Sequence, residues 1–278
     1  MKYKLVVDSS CDIPPEVMER LGAIKVPLVM LMGERCYIDD DKLDVAAFVE
    51  DMTAFKGPMH SGCPAPAEFA AHYTGDDPIF VVTLSSRLSG SYDCAVAAIE
   101  LARDQGTPAD VYVFDSKSAS GGEVTVALLI EELANAGCTK EEIIEKVEAH
   151  IKRQETLFIL GDVTNLVKNG RMNKVTGTFV SALHIHPLLS SDGDGNIIML
   201  DKARGMAATV KRLVEVIGER CPAVADKTLV IAHCLSPDMA NYMRALIEER
   251  YAFKKIVLYA MGGLSSMYAA KGGVLAAF

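Results

Sequence analysis

Residues 79–90 read Ile79-Phe80-Val81-Val82-Thr83-Leu84-Ser85-Ser86-Arg87-Leu88-Ser89-Gly90, and the fold turns on how they are read. A short, unbroken apolar and β-branched run closed by polar punctuation is the pattern of a strand buried on both faces. The helical period that follows over Gly90–Asp104 makes the whole a strand, a serine-rich loop and a helix. Outward from this unit the same grammar recurs. Lys4–Val7 is followed by Asp8-Ser9-Ser10-Cys11-Asp12-Ile13-Pro14 and a helical stretch at Pro15–Leu21, and Val111–Phe114 by Asp115-Ser116-Lys117-Ser118 and Glu123–Ala134. Ile24–Leu31 reads as a further strand, and helical spacing marks Leu43–Phe55, Pro66–Tyr73 and Lys140–Arg153. Strands alternating with helices predict an α/β fold with a parallel sheet.

Beyond residue 155 the pattern changes. Leu157–Leu160, His186–Ser190, Ile197–Asp201, Leu229–His233 and Ile256–Ala260 read as strands, and Lys174–Leu183, Met206–Arg220 and Asp238–Tyr251 as helices. Asp192-Gly193-Asp194-Gly195-Asn196 is a hairpin turn signal between two strands. Two domains are therefore expected, 1–155 with the parallel sheet and 156–278 as an α+β unit with a mixed or antiparallel sheet.

The 278 residues suffice for two cores, and 50% hydrophobic content with 23% charged residues excludes disorder. Lys plus Arg number 28 against 37 for Asp plus Glu, a net charge of −9, which repels polyanions and argues against nucleic acid. The seven cysteines are scattered without a C-x-x-C pair, so they read as reduced thiols. With no signal-like N-terminus and no run of the ~18 apolar residues a bilayer requires, the expectation is a soluble, cytoplasmic protein.

In an open parallel sheet, ligands bind beyond the carboxyl ends of the strands. That rule points to the serine loops. Ser89 stands before a helical run and Gly90 permits close backbone approach, so the Ser89 hydroxyl with the amides near Gly90 and Ser91 forms either a plain helix cap or a cradle for a carboxylate or phosphate. Ser61-Gly62-Cys63-Pro64-Ala65-Pro66 reads as a second small-residue turn, from which Ser61 would face the same anion. Arg171 after Asn169-Gly170, and Arg204 before Gly205, sit in turns where a guanidinium is either solvated or turned toward an anion. Phosphate-loop, dinucleotide, nucleophile-elbow and zinc-protease motifs are all missing. His184 and His186 flank Ile185 and would supply at most two metal ligands, so no metal and no cofactor are expected.

These pieces, taken in order over the whole length, resemble the DegV family of bacterial fatty-acid-binding proteins, which includes the carrier subunits of fatty acid kinase. The resemblance rests on Asp8-Ser9-Ser10-Cys11-Asp12-Ile13-Pro14, on Leu84–Tyr92, on Asp115-Ser116, and on Asn165-Leu166 through Asn169-Gly170-Arg171-Met172. It continues in His186-Pro187-Leu188-Leu189 and in Asp194-Gly195-Asn196-Ile197 leading to Lys202-Ala203-Arg204-Gly205. It implies a Rossmann-like first domain, an α+β second domain, and one long-chain, palmitate-like fatty acid between them. It also implies a carrier without catalysis of its own, presenting the carboxylate to a kinase or another enzyme of lipid metabolism. Matched by motif, the carboxylate ligands are Ser61 and Ser89, with Gly90 beside them, and Arg171 and Arg204 lie near the head group or a partner surface. Gly62 and Cys63 replace a hydroxyl and a glutamine of the family pattern. Tyr268 stands where the family has a histidine, at a rim further changed by Lys271. Met172, Phe158 and Leu183 are read as neighbours of the acyl tail or as core. A carboxylate held by hydroxyls alone would have a raised pKa, whereas a lowered one would require Arg171 or Arg204 in contact. The alternative is an acyl- or phosphoryl-transfer enzyme acting on a small anionic substrate with Ser89 as nucleophile, for which the sequence shows no base.

Overall fold

The computed structural model describes residues 1–107, 109–172 and 184–278. In chain order the first part comprises β1 (Lys4–Asp8), α1 (Pro15–Leu21), β2 (Ile24–Val26), β3 (Val29–Met32), β4 (Arg35–Ile38), α2 (Val45–Ala54), β5 (Met59–Gly62) and α3 (Pro66–Ala70). It continues with β6 (Ile79–Thr83), α4 (Ser91–Asp104), β7 (Val111–Asp115), α5 (Gly121–Asn135) and α6 (Lys140–Ile151). Then follow β8 (Thr156–Ile159), α7 (Thr164–Lys168), β9 (Ile185–Ser191), β10 (Ile197–Arg204), α8 (Met206–Arg220), β11 (Thr228–His233), α9 (Pro237–Glu248), β12 (Lys255–Ala260), α10 (Gly263–Ala269) and β13 (Val274–Ala277).

Strands β1, β2, β6 and β7 form a parallel sheet in the order β2-β1-β6-β7. Every residue of β6 is buried, as its unbroken apolar run demands. The six-stranded sheet, in the order β10-β9-β8-β13-β11-β12, is mixed: only β11 and β12 run parallel. Helix α6 starts where Thr139 accepts from the Glu142 N–H and Glu142 returns a bond to the Thr139 N–H, a capping box. Helix α5 packs against β6 on one side and against β11 and β13 on the other. Its buried positions, including Gly121, Val124, Val126, Ala127 and Ile130, therefore run around the helix instead of forming one stripe. The largest apolar cluster accordingly joins Leu5, Phe80 and Phe114 of one sheet to Val230, Leu275 and Ala277 of the other.

Two readings of the sequence need revision, and one strand was not anticipated. The run Ile24–Leu31 is not one strand: it breaks at Pro27, which has no N–H to give, so β2 stays in the parallel sheet while β3 turns into a three-stranded antiparallel sheet β4-β3-β5. The turn read at Ser61–Pro66 begins inside β5: Ser61, paired to Met30, and Gly62 are strand, and only residues 63–65 connect to α3. The C-terminal strand β13 inserts between β8 and β11, a non-local pairing that no local pattern announces. The expected helix Lys174–Leu183 lies outside the described residues. Among the described residues no helix is long and apolar enough to cross a membrane.

Candidate ligand-binding cleft

The loops after β1, β6 and β7 are tied together by carboxylates at the strand ends, Asp8 buried and Asp115 half-buried. Asp8 accepts from the Ser10 N–H at 3.1 Å and the Leu84 N–H at 2.9 Å, and its burial raises its pKa to about 6. Asp115 accepts from the N–H groups of Ser86 (3.1 Å) and Lys117 (3.0 Å), and from the Ser86 hydroxyl at 2.6 Å. The serines thus shape the loops before they meet any ligand. Lys117 and Ser120 take left-handed backbone angles (φ 52° and 54°), strain of the kind that gathers at binding sites.

These loops form one wall of a cleft enclosing about 910 Å³ of empty space, its open mouth included. Leu28, Leu84, Phe158, Leu160, Leu264 and Leu275 make most of the lining apolar. The β9–β10 hairpin closes against it: the Ser85 hydroxyl donates to the Gly195 carbonyl at 2.9 Å, and a side chain at Gly195 would strike that hydroxyl at 2.2 Å. On the same lining, Ser190 Oγ is fully buried and has no protein partner among the described residues.

Ser61, Ser89, Arg171 and Tyr268 all line this cleft, although the chain delivers them from four separate segments. The hydroxyls of Ser61 and Tyr268 lie 2.8 Å apart, and Arg171 reaches the loop wall by donating from Nε to the Leu88 carbonyl at 3.0 Å. The cap position of α4 is Gly90 and not Ser89, but the Ser89 hydroxyl accepts from the Ser91 N–H at 3.2 Å and so still serves the start of the helix. Gly90 stands behind Ser89, against the Cys63 sulfur and off the cleft lining. Arg204 is exposed on β10, opposite Ile185, and is also off the lining. Phe158 lines the cleft, Met172 is buried in the core cluster, and Leu183 lies outside the described residues.

Helix α10, which carries Tyr268, was not expected. Its first N–H groups, on Gly263 and Leu264, donate to the Asp39 carboxylate at 2.8 and 3.1 Å, and the Gly262 N–H donates to Asp12 at 2.8 Å. Its far end is held by Asn165, whose side-chain amide donates to the Met267 carbonyl at 2.8 Å. Burial raises Asp12 to about 7 and pushes Asp39 up as well. The signal in the sequence was the acidic character of the first loop together with Asp39, but nothing local named their partners. Lys117, Ser118, Ser120, Thr156, Ser190 and Ser191 also reach the lining. Of these, the serines after β7 belonged to the loops that the strand-end rule had marked.

Comparison with known proteins agrees with the architecture. A family profile described as that of uncharacterised DegV family proteins matches residues 2–278. A DegV domain-containing protein of Streptococcus pyogenes is 31% identical over 277 residues, covering 99% of this chain and 98% of its own. Among solved structures, a DegV family protein of Ruminococcus gnavus, refined with vaccenic acid, superposes with a TM-score of 0.94 at 34% identity, covering 99% of each chain. The Fatty Acid Kinase (Fak) B3 protein of Streptococcus pneumoniae, loaded with linoleic acid, gives a TM-score of 0.91 at 28% identity, covering 100% of this chain and 99% of that one.

Proposed function

The chain belongs to the DegV family, and on that premise we propose that it carries one long-chain fatty acid in the cleft and presents the carboxylate to a partner enzyme, without chemistry of its own. The observation that carries the reading is the lining itself. It is a mostly apolar cleft in which the Ser61–Tyr268 hydroxyl pair, Ser89 and Arg171 are brought together from distant segments. Burying ~15 methylenes at ~0.8 kcal/mol each supplies on the order of 12 kcal/mol of gross driving force. The tail holds the ligand and the head group orients it. Each hydroxyl has one proton to donate, so Ser61 and Tyr268 exchange their mutual bond for bonds to the two carboxylate oxygens. Arg171, which lines the same cleft, lowers the proton affinity that hydroxyls alone would leave to the acid.

Residues 1–155 supply Ser61 and Ser89, and residues 156–278 supply Arg171, Tyr268 and the hairpin that closes over the acyl chain. The carboxylate therefore bridges the two parts. Arg204, exposed on β10, is a cation available to a partner such as a kinase subunit; the Fak B3 protein is named for such a system. The nucleophile reading of Ser89 loses ground, because among the described residues its hydroxyl meets only Ser91.

Denaturing extraction of the purified protein followed by mass spectrometry tests the proposal. The expected result is a near-stoichiometric fatty acid, with weakened retention in Ser89→Ala. A protein that comes off empty and takes up no added palmitate overturns it.

A further inference from the structure

Cys63 and Cys94 are 31 positions apart in the chain, yet their sulfurs lie 3.8 Å from each other. Cys63 follows β5 and is exposed, whereas Cys94 sits in the first turn of α4 and is half-buried. The contact is built by close approach. A β-carbon placed on Gly90 would come within 3.2 Å of the Cys63 sulfur, so the side chain lies directly against the backbone at the start of α4. Among the described residues no other two cysteine sulfurs lie within 4.0 Å of each other.

We propose that Cys63 and Cys94 form a reversible disulfide that clasps the head-group end of the cleft, regulating the release of the fatty acid inferred above. Cys63 lies two positions beyond Ser61, and Cys94 lies five positions beyond Ser89. A bond between them joins the strand that carries one head-group hydroxyl to the helix behind the other. The sulfurs need only close from 3.8 Å to about 2.05 Å. The oxidant is a peroxide. The exposed Cys63 thiolate attacks one peroxide oxygen, the O–O bond breaks, and Cys63 becomes a sulfenic acid while the other oxygen leaves as hydroxide and is protonated to water. The Cys94 sulfur then attacks the Cys63 sulfur, the S–O bond breaks, and the departing hydroxide takes the Cys94 proton as a second water. Two thiols and one hydrogen peroxide thus give one disulfide and two waters. Burial, followed by the neighbouring Cys63 thiol, raises Cys94 to about 11, which fits Cys63 as the sulfur that meets the oxidant first.

A bond here ties the end of β5, which carries Ser61, to α4 behind Ser89, so the two head-group hydroxyls can no longer move apart. The test is to treat the 278-residue chain, loaded with palmitate, with hydrogen peroxide, to map cross-linked peptides by mass spectrometry with and without reductant, and to measure transfer of palmitate to phosphatidylcholine vesicles. Expected are a reductant-sensitive peptide joining Cys63 to Cys94 with a loss of about 2 Da, and transfer slowed by about threefold or more, in the manner of an off-rate effect. Neither change should appear when Cys94→Ser is treated in the same way. Oxidation that stops at a sulfinic acid on Cys63, or that pairs other cysteines, overturns the site. A Cys63–Cys94 bond that leaves transfer unchanged overturns its regulatory role. A protein that forms the bond but never takes up palmitate refutes the carrier reading and the regulation with it, leaving the disulfide site itself established by the peptide map.

Discussion

Asp12 shows how much of this molecule is decided by single buried groups. Its carboxylate accepts from the Ser120 hydroxyl at 2.6 Å and from the Gly262 N–H at 2.8 Å, yet desolvation outweighs both and sets its pKa to about 7. The folded chain thus keeps a proton that the unfolded chain gives up near 3.8. The resulting stabilisation is fully present below that lower value and is lost as the pH rises through 7, at up to about 1.4 kcal/mol per pH unit for one proton. Asp8, raised to about 6, acts in the same direction, whereas His150, lowered to about 4 by burial, acts in the opposite one. The comparison between two chains isolates Asp12. Asp12→Asn is expected to lose less stability than the native protein between pH 5 and pH 8 in urea unfolding. Identical pH slopes for the two would mean that Asp12 is ionised in the fold.

At the scale of elements, α10 is the piece on which the site depends and which the sequence hid. Asp39 holds its N-terminus, and Asp39→Ala leaves the buried N–H groups of Gly263 and Leu264 without acceptors, at about 1–3 kcal/mol each. The expected outcome is a lower melting temperature together with weaker palmitate retention, since Tyr268 moves with the helix; Asp39→Asn, which keeps one acceptor oxygen, should lose less of both. Lower stability with undiminished retention would separate the anchoring of α10 from the positioning of Tyr268. The same element marks where sequence reading stops. β1, β6, β7, α4 and α8 were legible because each writes its own period, apolar runs for the strands and a helical stripe for the helices. Helix α10 opens on Gly262-Gly263, which local propensity opposes. The need for glycine at 263 comes from Leu43 and Asp39, since a β-carbon there would sit 2.3 Å from one and 2.7 Å from the other. The Asp39 contact spans 224 positions. Short β5 was unreadable for a similar reason: its pairing with β3 defines it, and Met59-His60-Ser61-Gly62 carries no strand pattern of its own. Ser61 and Ser89 were legible through the strand-end rule and the family motif, but their convergence with Tyr268 and Arg171 is tertiary.

Every strand of the six-stranded sheet follows residue 155 and every strand of the other two precedes it, but the interior does not divide there. Helix α5 comes from the first part of the chain and packs against β6 as well as β11 and β13. At Gly121 a β-carbon would lie 2.7 Å from Leu275, so helix and sheet touch where only glycine fits. Asp12 and Asp39 send their bonds forward to Gly262, Gly263 and Leu264, and Ser85 sends its own to Gly195. A chain ending at residue 155 would bare the outer face of α5 to water and strand buried carboxylates without the N–H groups that satisfy them. Residues 1–155 made alone are therefore expected to unfold in urea without a sharp transition and to exchange their amide protons freely, while the full chain unfolds in a single step. A cooperative transition with protected amides in that fragment would mean that each sheet stabilises its own half, leaving the cleft as a joint between independent domains. If instead the fragment fails and the full chain melts as one, a fatty acid touching both sides stabilises the whole fold, by about 2.7 kcal/mol at a free concentration 100 times its Kd. Emptying the cleft would then lower the melting temperature of the entire chain and not of one half.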